Sequence, residues 1–135
     1  AADGRGRALI YGDRNDVVEI DRIENALERF GERFARRILC ESERRRSGAH
    51  RKPAAYLAKR FAAKEAFTKA LGTGIRAPAN WHGVWVKNLP SGKPTLEYST
   101  ALRSLLERRG VTSAHLSLSD ERAIGIATVI LECEK

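Results

Sequence analysis

Glu65 stands where an apolar residue is due. Leu57 and Phe61 are spaced i, i+4 on one helical stripe, and the next two positions of that stripe are Glu65 and Lys69. A carboxylate there can ligate a hard cation or take up a proton, and an ammonium one turn on can hold phosphate. The same pair on a plain surface would add only about 0.3 kcal/mol. Asp16 lies at the edge of a β-branched run, Val17, Val18 and Ile20. His115, Ser117 and Ser119 alternate onto one strand face while Leu116 and Leu118 take the other, and a histidine so placed is either a structural group or a titrating one. Gly72-Thr73-Gly74 follows the Glu65 segment, where Gly72 suits a helix cap and both glycines allow close approach to the backbone. Cys40 and Cys133 have no CxxC spacing and no further Cys or paired His to complete a metal cage, which suggests a reducing, cytoplasmic compartment.

The elements that must position these residues fit one domain over residues 1–135, with Ala1 to Arg7 as a loose basic arm. Short strands are expected at Leu9 to Tyr11 and Asp16 to Ile20, flanking the polar stretch Gly12 to Asn15. Ile23, Ala26, Leu27, Phe30, Phe34 and Ile38 recur at helical spacing, with Arg22, Arg29, Arg33, Arg36 and Arg37 largely on other faces. Glu41 to Lys52 reads as a short helix and loop. Pro53 opens and Gly72 closes a long alanine-rich helix. Val84 to Lys87 and Thr95 to Tyr98 form a hairpin around Pro90-Ser91-Gly92, Ala101 to Arg109 a second capped helix, and His115 to Ser119 and Ala123 to Leu131 two more strands. The class is α+β, a small antiparallel sheet packed against a long central helix and shorter helices. No apolar stretch approaches the roughly 18 residues of a membrane-spanning helix. With 25 Lys and Arg against 17 Asp and Glu, a net charge of +8, the natural partners are anions.

The string Arg60-Phe61-Ala62-Ala63-Lys64-Glu65-Ala66-Phe67-Thr68-Lys69-Ala70-Leu71-Gly72-Thr73-Gly74 closely resembles the signature of the holo-acyl-carrier-protein synthase family of phosphopantetheinyl transferases. The resemblance extends through Ile20-Asp21-Arg22-Ile23, Phe30-Gly31-Glu32-Arg33-Phe34, Gly92-Lys93-Pro94 and His115 to Arg122. It implies the 4′-phosphopantetheinyl transferase fold and an enzyme that moves the 4′-phosphopantetheine arm of coenzyme A onto a serine of apo-acyl carrier protein, releasing adenosine 3′,5′-bisphosphate. Asp16 and Glu65 then hold Mg²⁺, which accepts one or two carboxylates when phosphate and water oxygens supply the rest. Lys69 approaches the phosphates or assists proton removal, and Lys64, Gly72, Thr73, Gly74 and His115 belong to the coenzyme A site. Arg22, Arg29 and Arg33 dock the acidic carrier protein. The resemblance also implies a homotrimer with sites at subunit boundaries.

Two positions depart from the family pattern. Where relatives read Gly-x-Gly-x-Asp, this chain reads Gly12-Asp13-Arg14-Asn15-Asp16, which predicts backbone strain at Arg14 if the position needs φ > 0 and a guanidinium able to compete with the metal. Register to Val17-Val18-Glu19-Ile20 keeps Asp16, and not Asp13, as the ligand. Cys40 stands where a Ser or Thr cap precedes Glu43. The rival reading is a basic nucleic-acid-binding module using the helix arginines, Arg44 to Arg46 and the aromatics Trp81 and Trp85. Its basic residues are dispersed and Asp16 and Glu65 would repel phosphate, so the expectation is no nucleic acid and no membrane partner.

Overall fold

The structure, a computed structural model, describes residues 7–48 and 50–134, so all but Arg7 of the expected N-terminal arm lies outside the described residues. Its axis is helix α4, Pro53–Leu71, with proline at the first turn and Gly72 in the left-handed region as C-cap. Helix α4 is mostly buried around its circumference because alanines let neighbours approach closely. Ala58, Ala62, Ala66 and Ala70 form an i, i+4 row, all buried, and Ala58 and Ala70 meet two strand glycines. A Cβ on Gly12 would collide with the Ala70 carbonyl, and one on Gly125 would press on Ala58. Gly12 is therefore required by space, while at Gly125 the fit is tight.

The strands meeting α4 are β1 (Ala8–Glu19) and β5 (Ile124–Glu134), which with β4 (Val111–Glu121) make an antiparallel sheet of order β1-β5-β4. Val18, Ala127, Val129 and Leu131 point at the helix and join Leu57, Phe67 and Leu71 in one core cluster. Around the helix stand α1 (Ile20–Phe30), α2 (Glu32–Ile38) and α3 (Glu41–Gly48); β2 (Val84–Asn88) pairs with β3 (Pro94–Tyr98) as the expected hairpin, and α5 (Thr100–Arg108) packs on β3 and β4. The architecture is the α+β arrangement read from the sequence.

Three local expectations are corrected. The polar stretch Gly12 to Asn15 does not separate two strands: it pairs residue by residue with Val129 to Leu131 and Thr128, so β1 is continuous, with only a bulge between Ile10 and Gly12. A strand paired to β5 tolerates polar residues wherever its outer side meets solvent. The basic segment is two helices, because Gly31 at φ 61° stops α1, and Phe30, expected in the core, is 49% exposed beside that break. Arg14 has no positive φ; it is an ordinary strand residue opposite Val129, so the expected strain is absent. No helix is long and apolar enough to cross a membrane among the described residues.

Candidate active site

Three of the sequence candidates converge where β1 crosses the second half of α4. Gly12 draws β1 against Ala70, and four residues on, Asp16 faces the helix and is 8% exposed. Lys69 reaches it, its Nζ 3.1 Å from Asp16 Oδ2. The i, i+4 partner expected for Lys69 was Glu65, but the shorter contact is to the strand. Glu65 lies half-buried in the same group, and among the described residues no hydrogen bond or ion pair engages its carboxylate. Burial pushes the Glu65 carboxyl above the usual carboxylate range; Lys69 pulls it back, Asp16 pushes it further up and Arg22 pulls it back again. Arg14 lies on the open side, with Nε 3.6 Å from Asp16 Oδ1.

Two oxygen-donor carboxylates, one nearly buried and one without a partner among the described residues, fit a hard divalent cation. No group of three or more His, Cys, Asp and Glu close enough for a closed metal cage exists among the described residues. A cation held by Asp16 and Glu65 would therefore keep most of its coordination for other oxygens, the arrangement that suits a metal shared with phosphate.

The loop after α4 contributes in an unexpected way. The N–H groups of Gly72, Thr73 and Gly74 all turn inward to the single carbonyl of Thr68, at 3.0, 3.0 and 3.1 Å. None of these three is free to cradle an anion. What the loop offers outward is open space at Gly72 (φ 94°) and Gly74 (φ 64°), where, chain neighbours aside, no atom of the described residues lies within 4 Å of a would-be Cβ. A flat group can lie against such a surface.

Lys64 is placed elsewhere. It is fully buried, and its Nζ donates to Glu43 Oε1 at 2.7 Å and to the Ile38 and Trp81 carbonyls at 2.6 Å each. With all three donors engaged, it has none to offer a cofactor, which corrects the expectation that it contacts coenzyme A. Burial pushes the Lys64 ammonium down and Glu43 draws it back up. Glu43 also accepts from Cys40 N at 2.9 Å and Val86 N at 2.9 Å, so it forms the reaching-back half of a capping box and spares Cys40 from capping with its thiol. The sequence reading missed this lock; the Cys40-to-Glu43 spacing signals only its capping half.

His115 is not brought to the Asp16 group within one chain. It projects from β4 on the sheet face away from α4, in the row Asp13, Ile130, His115, and its Nε2 lies 2.7 Å from Glu132 Oε1. The arginines expected to dock a carrier protein are exposed: Arg22 and Arg29 on α1, Arg33 on α2. Arg29 lies over the Phe30 ring at 5.2 Å, and Phe30, Arg33, Phe34 and Arg37 line a cleft of about 270 Å³. The aromatics of the rival reading are engaged, Trp81 against Phe61 with centroids 5.0 Å apart and Trp85 as a donor to Glu97. The Trp81 ring is thus packed against Phe61, and the Trp85 indole N–H is taken up by Glu97.

Against known proteins, residues 15–127 match the 4′-phosphopantetheinyl transferase superfamily. A holo-[acyl-carrier-protein] synthase of Aromatoleum aromaticum is 52% identical over 124 residues, 92% of this chain and 98% of that protein. The crystal structure of the holo-[acyl-carrier-protein] synthase from Neisseria meningitidis superposes with a TM-score of 0.88 at 42% identity, covering 91% of this chain and 98% of that one. One from Bacillus anthracis, in complex with CoA (3′,5′-ADP), gives a TM-score of 0.78 at 35% identity over 93% and 98% of the two chains.

Proposed function

The chain belongs to the holo-[acyl-carrier-protein] synthases of the 4′-phosphopantetheinyl transferase superfamily, and on that premise we propose that it is a magnesium-dependent enzyme transferring the 4′-phosphopantetheine arm of coenzyme A to a serine of apo-acyl carrier protein, with adenosine 3′,5′-bisphosphate as the leaving group. The observation that carries the reading is the meeting of Asp16, Glu65 and Lys69 at the crossing of β1 and α4.

Asp16 and Glu65 would hold Mg²⁺, which would supply charge neutralisation to the diphosphate; the serine oxygen bonds to the β-phosphorus as the bond from that phosphorus to the oxygen of the leaving adenosine 3′,5′-bisphosphate breaks. The chain's own residues position the reactants. Lys69, 40% exposed and anchored through Asp16, keeps an ammonium at the lip of the site where it can pass to a phosphate oxygen. Glu65, without a partner among the described residues, stays available as a ligand. The uncovered glycine faces of the Gly72-Thr73-Gly74 loop give a nucleotide base a surface to lie on. Arg22, Arg29 and Arg33 spread positive charge over α1 and α2, adjoining the site through Arg22, which suits an acidic carrier protein delivering its serine.

A homotrimer with shared sites belongs to the same reading. The outer sheet face carries Val17 at 60% exposure, Ile126 opposite it and Ile130 further along β5, with no helix of the described residues over them, and a second copy seated there would cover the apolar residues and could bring its own His115 to a neighbour's site. We place the enzyme in the cytoplasm, consistent with its two free cysteines. Incubating the protein with coenzyme A, Mg²⁺ and an apo-carrier protein and weighing the carrier tests the function. A carrier heavier by one phosphopantetheine arm, and unchanged when chelator replaces Mg²⁺, is the expected result; an unmodified carrier with Mg²⁺ present contradicts it.

A further inference from the structure

Asp16 is not bare. Lys69 faces one of its oxygens and Arg14 the other, at 3.1 and 3.6 Å, so a single carboxylate meets a cation on each side. The two cations differ in how they arrive. Lys69 comes from α4, the element that also carries Glu65. Arg14 comes from the same strand as Asp16 and is 52% exposed while Asp16 is 8% exposed, so the guanidinium covers the carboxylate from the solvent side and can swing away without disturbing the core. The backbone at position 14 is regular strand paired to Val129 and places no demand on residue type. What Arg14 adds to the site is its side chain.

We propose that Arg14 is a resident counter-cation of Asp16, which competes with a free divalent cation for that carboxylate and yields when the cation arrives together with diphosphate oxygens. The proposal rests on the Asp16–Glu65 metal reading. A guanidinium stays charged at any ordinary pH, so the competition does not fade across the physiological range. It would not replace the metal, because a guanidinium only donates hydrogen bonds and accepts no oxygen ligands. It pairs well with phosphate, however, through two parallel N–H donors, so a diphosphate beside Asp16 offers Arg14 another partner at the moment the metal takes the carboxylate. Metal and coenzyme A then each bind better in the presence of the other, a coupling that must be reciprocal.

The test needs no turnover. Mn²⁺, a paramagnetic stand-in for Mg²⁺, is titrated into wild type, Arg14→Gln, Arg14→Lys and Asp16→Asn and free metal read by electron paramagnetic resonance, first alone and then with coenzyme A, with circular dichroism as the check on fold. Without coenzyme A, Arg14→Gln should bind Mn²⁺ on the order of tenfold more tightly than wild type, since one nearby positive charge has gone. Arg14→Lys should stay near wild type, and coenzyme A should narrow the gap between Arg14→Gln and wild type. Equal or weaker Mn²⁺ binding by Arg14→Gln, with Asp16→Asn weak as expected, overturns the role of Arg14 alone. Asp16→Asn binding Mn²⁺ as well as wild type overturns the metal reading and the proposal with it.

Discussion

Lys64 and Glu65 are neighbours in the chain and opposites in environment. One helical step turns Lys64 into a sealed lock of Glu43, two carbonyls and two backbone N–H groups, in which the side chains of both ions are 0% exposed. The same step turns Glu65 toward a half-open group in which Asp16 is shared by Lys69 and Arg14, and Glu65 itself has no partner among the described residues. Charges whose hydrogen bonds are complete can only hold elements together; here α2, α3, α4, β2 and the Trp81 loop. Charges left incomplete keep the capacity to bind something else. The two clusters sit on one helix, so substitutions one residue apart should fail in different ways.

The largest effect falls on the lock. Glu43→Ala leaves the Lys64 ammonium buried with its carbonyl partners alone, and should remove about 3–5 kcal/mol of stability. Urea unfolding measures it; a loss below 1 kcal/mol would mean that water reaches Lys64 and that the contrast with Glu65 is false. Next comes Glu65→Gln, expected to slow transfer on the order of a hundredfold, about 2.7 kcal/mol of transition-state stabilisation, with folding intact. Loss of folding would move Glu65 into the structural class beside Lys64.

Arg22→Glu sharpens the comparison from the rim. It should raise the carrier-protein KM by roughly tenfold, steeply dependent on salt, and leave coenzyme A binding almost unchanged. An equal fall in coenzyme A affinity would assign Arg22 to the cofactor side of the site.

The smallest effect is a pH dependence. Burial holds the Glu65 carboxyl above its ordinary value, so between that value and the raised one the folded chain binds more protons than the unfolded chain. Stability therefore falls as pH rises through that window and the loss is complete above it. Glu65→Gln should be slightly more heat-stable than wild type at neutral pH without metal, and no more stable at a pH below the ordinary carboxylate range. A gain of the same size at both pH values would show that ionisation of Glu65 is not its source.

Much of this was legible in residue order. Pro53 and Gly72 mark α4 because backbone chemistry at helix ends is local, and the hairpin was readable because its turn is Pro90-Ser91-Gly92. Asp16 and Glu65 were named as partners through a family resemblance; residue spacing could not have paired a strand residue with a helix residue across such a distance in sequence. The break at Gly31 was hidden because Phe30 and Phe34 keep helical spacing across it. Lys64 was assigned to the cofactor through the family resemblance, and only the arrival of Glu43, Ile38 and Trp81 from three other segments reveals that its donors are spent. The pairing of Lys69 with Asp16 in place of Glu65 is likewise tertiary: Gly12 brings β1 within reach of Ala70, and no helical periodicity contains that contact.

The central claim is that Asp16 and Glu65 bind the metal through which transfer depends on magnesium. Release of adenosine 3′,5′-bisphosphate from coenzyme A in the presence of apo-carrier protein, followed in single turnovers across a Mg²⁺ titration for wild type and Glu65→Gln, tests it most directly. Wild-type rates should climb from near zero to a plateau while Glu65→Gln stays low throughout. A Glu65→Gln enzyme that reaches the wild-type rate at saturating Mg²⁺ would contradict the account.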